Sequence, residues 1–202
     1  MLVRAAIVCA LLAVAGAGCG DSNKTSETSE APGTPPVWPP PPNPMELTRK
    51  ASLTPERAEF LQYHVHAHLD VFFNGELVVV PAGIGINTKD PAVQSDSGGV
   101  GLLRDCDKPC ISPLHTHGTD GVLHTETKTP APNTLGQFFV EWDVDLSAGR
   151  VGEYDDSDVD LAIYVDGEVF DGDPRQIELS DGREIAIVIG SPPDDIPSEF
   201  QQ

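Results

Sequence analysis

The stretch Tyr63-His-Val-His-Ala-His-Leu-Asp-Val-Phe-Phe73 alternates polar and apolar residues without a break, and Asn74-Gly75 follows it. A period of two belongs to a β-strand with one buried face. It sends Val65, Ala67, Leu69, Val71 and Phe73 toward a core, and His64, His66, His68, Asp70 and Phe72 to the other side. Asn-Gly is the strongest short hairpin signal, because both positions tolerate positive φ. The return strand is expected over Glu76–Ile86, with Val71 facing Val78 and Leu69 facing Val80. In that register His64, His66 and His68 face Gly85, Gly83 and Pro81. The 19 Gly and 19 Pro are too many for a helical bundle and suit a chain of strands and turns.

The rest of the chain reads on from this ribbon. Thr54-Pro55-Glu56 has the form of a helix start and predicts a short helix to about Gln62, within a lead-in over 46–62. Residues 87–112 are a Gly/Ser/Asp-rich loop, and Leu114–Glu126 is expected as a second hairpin around Asp120-Gly121. Together they form an insertion over 87–130. Thr134 caps a short amphipathic helix through Trp142, and 143–158 is acidic loop. Leu161–Val165, Glu168–Phe170, Gln176–Leu179 and Glu184–Ile189 supply the last strands, before a tail over 191–202. The expected fold is therefore α+β, a β-rich single domain over 63–190. Its order without the insertion, ββαβ(β)β, resembles the β-grasp arrangement of ubiquitin-like and sulfur-carrier proteins. The resemblance implies a mixed sheet with an inserted His-bearing hairpin and one or two short helices. The chain ends in Phe200-Gln201-Gln202 where sulfur carriers have Gly-Gly, so their activity is not carried over. A cupin-like or jelly-roll barrel is the alternative architecture.

At the other end, Arg4 precedes an apolar stretch, Ala5–Ala15, of signal-peptide length and too short to span a bilayer. It leads to Ala17-Gly18-Cys19, which resembles the lipobox of bacterial lipoproteins. The resemblance implies a signal peptide over 1–18, cleavage before Cys19, acylation of that cysteine, and an extracytoplasmic protein held to the cell membrane by lipid. An ordinary secretory signal cleaved nearby is the alternative. Residues 19–45 then form a tether, polar at first and Pro-rich from Pro35 to Pro42, stiff enough to act as a spacer. Outside the membrane, Cys106 and Cys110 are expected to close a small disulfide loop, with a thiolate metal pair as the other possibility.

All six histidines fall in two places, His64-Val-His66-Ala-His68 and His115-Thr-His117 with His124. Alternate strand residues share a face about 6.6 Å apart, at roughly 3.3 Å of rise each. Adjacent imidazoles of such a row can reach one ion. With Asp120-Gly121 as a two-residue turn, His117 faces His124 and His115 faces Glu126. The second ribbon is expected to lie over the first, joining His66, His117 and His124 first as metal ligands, then His68 and His115, then His64. Glu126 and Asp70 are candidate partners that orient the imidazoles. All-imidazole sites suit Cu(II) or Zn(II), and two His with Glu126 would also suit iron. The pattern HxHAHLDxFxNG from His64, with LHTHxxxGxxHxE from Leu114, resembles a group of uncharacterised secreted proteins over roughly residues 63–190. That resemblance implies a coherent domain and nothing about its chemistry.

Charge narrows the partners. Against 12 Lys+Arg stand 32 Asp+Glu, a net −20, which argues against nucleic acid and against adsorption to anionic lipid. The expected partners are a metal ion and, through the lipid anchor only, the membrane. The sequence names no protein partner. The run Asp155-Asp156-Ser157-Asp158 lacks the spacing of a calcium loop and reads as solvated surface. Sequestration, delivery or sensing of a transition metal is the leading function. A metalloenzyme using Glu126 or Asp70 as acid or base, and an envelope interaction module with structural histidines, are the alternatives. No nucleophile elbow, P-loop or dinucleotide fingerprint points to an enzyme.

Overall fold

The computed structural model describes residues 30–200, Leu102 and Arg104 excepted; the segment expected to be a signal peptide, Cys19 and the first part of the expected tether lie outside the described residues. In chain order the elements are α1 (Pro44–Lys50), β1 (Tyr63–Phe73), β2 (Glu76–Val78), β3 (Ser95–Asp96), β4 (Gly99–Val100), β5 (Leu114–His115) and β6 (Val122–Thr127). Then come α2 (Leu135–Trp142), β7 (Leu146–Ser147), β8 (Arg150–Val151), β9 (Tyr154–Asp155), β10 (Leu161–Val165), β11 (Glu168–Val169), a 3-10 turn (Pro174–Gln176) and β12 (Glu184–Ile189). The main sheet runs β11-β10-β12-β1-β6-β5, with β2 also paired to β1. The first and last long strands, β1 and β12, are parallel neighbours, and the other pairings are antiparallel. This is the expected α+β, β-grasp-like mixed sheet. The sheet is open, so the barrel alternative falls.

The alternation along β1 sorts its residues as expected. Ala67, Leu69, Val71 and Phe73 join Leu114, Leu123, Ile185, Ile187 and Ile189 in the main core. Helix α2 covers that face with Leu135, Phe138, Phe139 and Trp142. Thr134 and Gln137 close a reciprocal capping box at its start, and Asp143 ends it in the left-handed region. All six residues of β12 are buried, as a strand central to the sheet requires. The histidine side of β1 therefore lies on the sheet face away from α2.

Several expectations on local structure are corrected. The return strand β2 stops at Val78 rather than Ile86. Pro81 lacks a donor for the ladder, and Gly83 and Gly85, at φ 84° and 73°, turn the chain off the edge. A Cβ on Gly85 would collide with the Leu114 carbonyl, so this segment passes tightly over β5. The vacated edge of β1 is taken by β6, which pairs His64 with Glu126, His66 with His124 and His68 with Val122. Asp120-Gly121 is not a two-residue turn: β5 and β6 pair His115 with His124 and Leu114 with Thr125. Thr116 instead bonds across to the 81–84 segment, donating its backbone N–H to the Ile84 carbonyl and its hydroxyl to the Pro81 carbonyl. That leaves His117 in a loop.

The expected helix over 54–62 is absent, and the helix of this region is α1 instead. Glu56, Arg57 and Glu59 spend their backbone bonds on Ile111, Cys110, Cys106 and Leu103. A lone two-turn helix would not compete with that pairing. Gln176–Leu179 makes a single bridge, Thr134 to Glu178, rather than a strand, and the acidic 143–158 stretch carries the small sheet β7-β8-β9. The Pro-rich segment is not a free spacer. Trp38 packs edge-on against Trp142, whose indole N–H donates to the Trp38 carbonyl. Ala31 is buried and exchanges two hydrogen bonds with the Asn74 side chain.

Candidate metal centre

Three neighbouring strands carry the site. The register aligns His66, His124 and His115 in one cross-strand row over β1, β6 and β5. His64 and Glu126 form the next pair along. His117 reaches back to the same row from the loop after β5. Five of the six histidines and Glu126 thus meet on one face, by edge-to-edge pairing of strands rather than by one ribbon lying over another.

The two inner imidazoles have fixed tautomers. His115 Nδ1 lies 2.9 Å from the Ser112 carbonyl, and His117 Nδ1 lies 2.7 Å from the Val100 carbonyl. A carbonyl only accepts, so both Nδ1 atoms carry the proton and both Nε2 atoms present a lone pair. Those two Nε2 atoms face each other at 3.1 Å. Two nitrogens each about 2.1 Å from one ion lie about 3.0 Å apart at a right angle and about 3.4 Å apart at a tetrahedral angle. The spacing therefore suits two ligands of one cation.

The surroundings keep these rings neutral. Burial, against the opposing pull of Glu126, pushes His115 down to about 3. Burial and the facing His124 ring lower His117 as well. His66 is lowered by burial and by His124 and His64. Burial alone would raise the Glu126 carboxyl, but His124, His115 and His64 outweigh it and hold it below its ordinary value. The centre is thus a carboxylate beside His66, His115 and His117, three imidazoles whose burial disfavours their charged form, a donor set suited to a borderline metal ion.

The ligand atoms of His115, His117, His124 and Glu126 all lie within 4.8 Å of one another, and so do those of His64, His66 and His124. His124 Nδ1 stands 3.5 Å from Glu126 Oε1 without making a hydrogen bond, and both it and Glu126 Oε2 are buried with no hydrogen-bond partner. Buried polar atoms left without partners are costly, and a cation between them removes the cost. A pocket of about 360 Å³ opens in front of His66, His117 and His124.

His68 stands apart. Its Nδ1 donates to the Glu184 carboxylate at 3.0 Å and its Nε2 to the Asp120 carbonyl at 2.7 Å. Burial pulls its pKa down, but Glu184, Asp70 and the Asp120 carbonyl prevail and raise it to about 8. With both nitrogens donating, His68 is an imidazolium in a salt bridge, stacked under Phe200. Asp70 sits 3.8 Å from His68 and belongs to this group, not to the imidazole cluster.

Two carboxylates escaped the sequence reading. Glu59 Oε1 lies 3.5 Å from His117 Nε2 and accepts from the Leu103 backbone. Glu184 holds His68. Nothing local marked either: Glu59 sat in a segment that read as helix, and Glu184 opens an ordinary apolar strand. The Cys106–Cys110 disulfide is formed. It anchors a second small core with Ile86, Val100, Leu103 and Ile111. That core includes Val100, whose carbonyl orients His117. Comparison with family models, curated proteins and solved structures finds no match to this chain.

Proposed function

We propose that this protein holds a transition-metal ion, Cu(II) or Zn(II), through His115, His117 and His124 with Glu126, and serves to sequester, deliver or sense it. The observation that carries the reading is the pair of Nε2 lone pairs on His115 and His117, set 3.1 Å apart with each Nδ1 committed to a carbonyl. In the same reading Cys19 is acylated after signal cleavage, and the domain works outside the cell membrane. Only about 12 residues separate Cys19 from the docked Ala31, so the reach to the bilayer is at most about 40 Å. Ala31 docks at the Asn74 end of β1, ten residues from His64 and so about 33 Å along the strand.

The pocket before His66, His117 and His124 favours one alternative, an enzyme whose ion keeps a coordination position open to solvent, with Glu59 or Glu126 as acid or base. Competitive titration of the purified protein with Cu(II) and Zn(II) tests the binding claim. His117→Ala is expected to weaken binding by at least about 100-fold, and more than His64→Ala does. Equal and negligible losses in both variants would refute the assignment.

A further inference from the structure

The imidazoles form two near-copies of one arrangement. His115 and His117 stand edge to face, ring centroids 4.7 Å apart and planes at 86°, with Nε2 atoms 3.1 Å apart. His64 and His66 stand edge to face at 4.5 Å and 89°, with Nε2 atoms 2.8 Å apart. His124 lies between the pairs. Its ring stacks on His115 at 5.4 Å and on His64 at 5.8 Å, while His117 and His66 meet it edge-on at 4.8 and 4.5 Å. Their ligand atoms fall into two separate groups that share only His124.

Glu126 sits at the junction. Its Oε1 is 3.1 Å from His64 Nε2 and 3.9 Å from His115 Nε2, touching both pairs. Its Oε2 is buried without a hydrogen-bond partner, in a residue only 4% exposed. A carboxylate oxygen placed between two imidazole pairs can bridge an ion held by each pair. In two-metal sites the ions lie about 3.5–4 Å apart, the span one carboxylate covers.

We infer that the centre is dinuclear: His115, His117 and His124 hold one divalent transition-metal ion, His64 and His66 hold a second, and Glu126 bridges them. This rests on the metal-binding reading above and extends it to a second ion. The more exposed His64/His66 pair binds the weaker ion, and the buried pair the tighter one. The pocket in front of the centre is lined by His66 of one pair and His117 of the other.

Metal analysis of the purified protein after Zn(II) loading and removal of excess ion separates the outcomes. The inference expects two ions per chain in the native protein, one in His64→Ala/His66→Ala, and loss of the second ion in Glu126→Gln. The double substitution truncates two side chains on the outer face of β1, and circular dichroism checks that the fold is kept. A single ion in the native protein overturns the second site and leaves the first standing. Two ions that survive the double substitution overturn the assignment of His64 and His66. No bound ion overturns this inference together with the reading it rests on.

Discussion

Glu141 and His68 each make the metal-free fold less stable as pH rises. Glu141 on α2 is fully buried beside Ser112 and Thr48, and burial, only partly opposed by those hydroxyls, raises its carboxyl to about 8 from an ordinary 4.5. The folded chain therefore binds a proton there that the unfolded chain has already released above pH 4.5. This contribution is lost as pH rises between 4.5 and 8, at about 1.4 kcal/mol per unit, and below 6.5 the buried His115, pushed down to about 3, opposes it with a slope of similar size. Glu141→Gln is expected to remove that slope and to raise the melting temperature at pH 7.5, as read by thermal denaturation across pH. A slope unchanged in the variant would show that Glu141 ionises freely. His68 acts in a narrower window. Its pKa rises from 6.5 to about 8, so its salt bridge with Glu184 contributes fully below pH 6.5 and fades as pH climbs through 8. Glu184→Gln is expected to cost about 2 kcal/mol at pH 6 and much less at pH 9, measured by denaturant unfolding.

At the scale of elements, the disulfide braces the small core that holds Val100 rather than the main sheet. It encloses only a short loop, so its entropic effect on global stability is small. Its local effect is larger, because Val100 and Cys110 share one small core with Ile86 and Ile111, and Val100 orients His117. Reduction, or Cys106→Ser with Cys110→Ser, is expected to lower metal affinity about 10-fold or more while shifting the melting temperature by only a few degrees. Unchanged affinity would show that this core does not act on the site. This element also shows where the sequence stops being informative. The alternation in β1, the Asn74-Gly75 turn, the Thr134 cap and the apolar run of β12 are local signals, and each appears where the pattern puts it. The pairing of His64, His66 and His68 was not local. It depended on whether 79–86 stayed on the edge of β1, and Pro81, Gly83 and Gly85 carried enough turn chemistry to take it off. The histidines still converge, because a period of two keeps His64 and His66 on one face whichever strand lies beside them. His68 shares that face, but its partner Glu184 lies more than a hundred residues away and had no signature to announce it.

The whole molecule is a β-grasp-like frame with its central strand extended beyond the grasp. The half of β1 from His68 to Phe73 belongs to the frame, paired to β12 and β2. The half from Tyr63 to His68 projects past it and is paired by the inserted β6 and β5. The core lies on one face with α2, and the imidazoles lie on the other at the projecting end. Binding of an ion to the folded state alone should stabilise the molecule by about 2.7 kcal/mol at a hundredfold excess over Kd. The most direct test of the central claim is the position of the ion itself, from anomalous X-ray scattering of crystals of the Zn(II)-loaded protein. The account predicts an anomalous peak about 2.1 Å from both His115 Nε2 and His117 Nε2. A loaded protein whose anomalous peaks all lie away from that pair would contradict it.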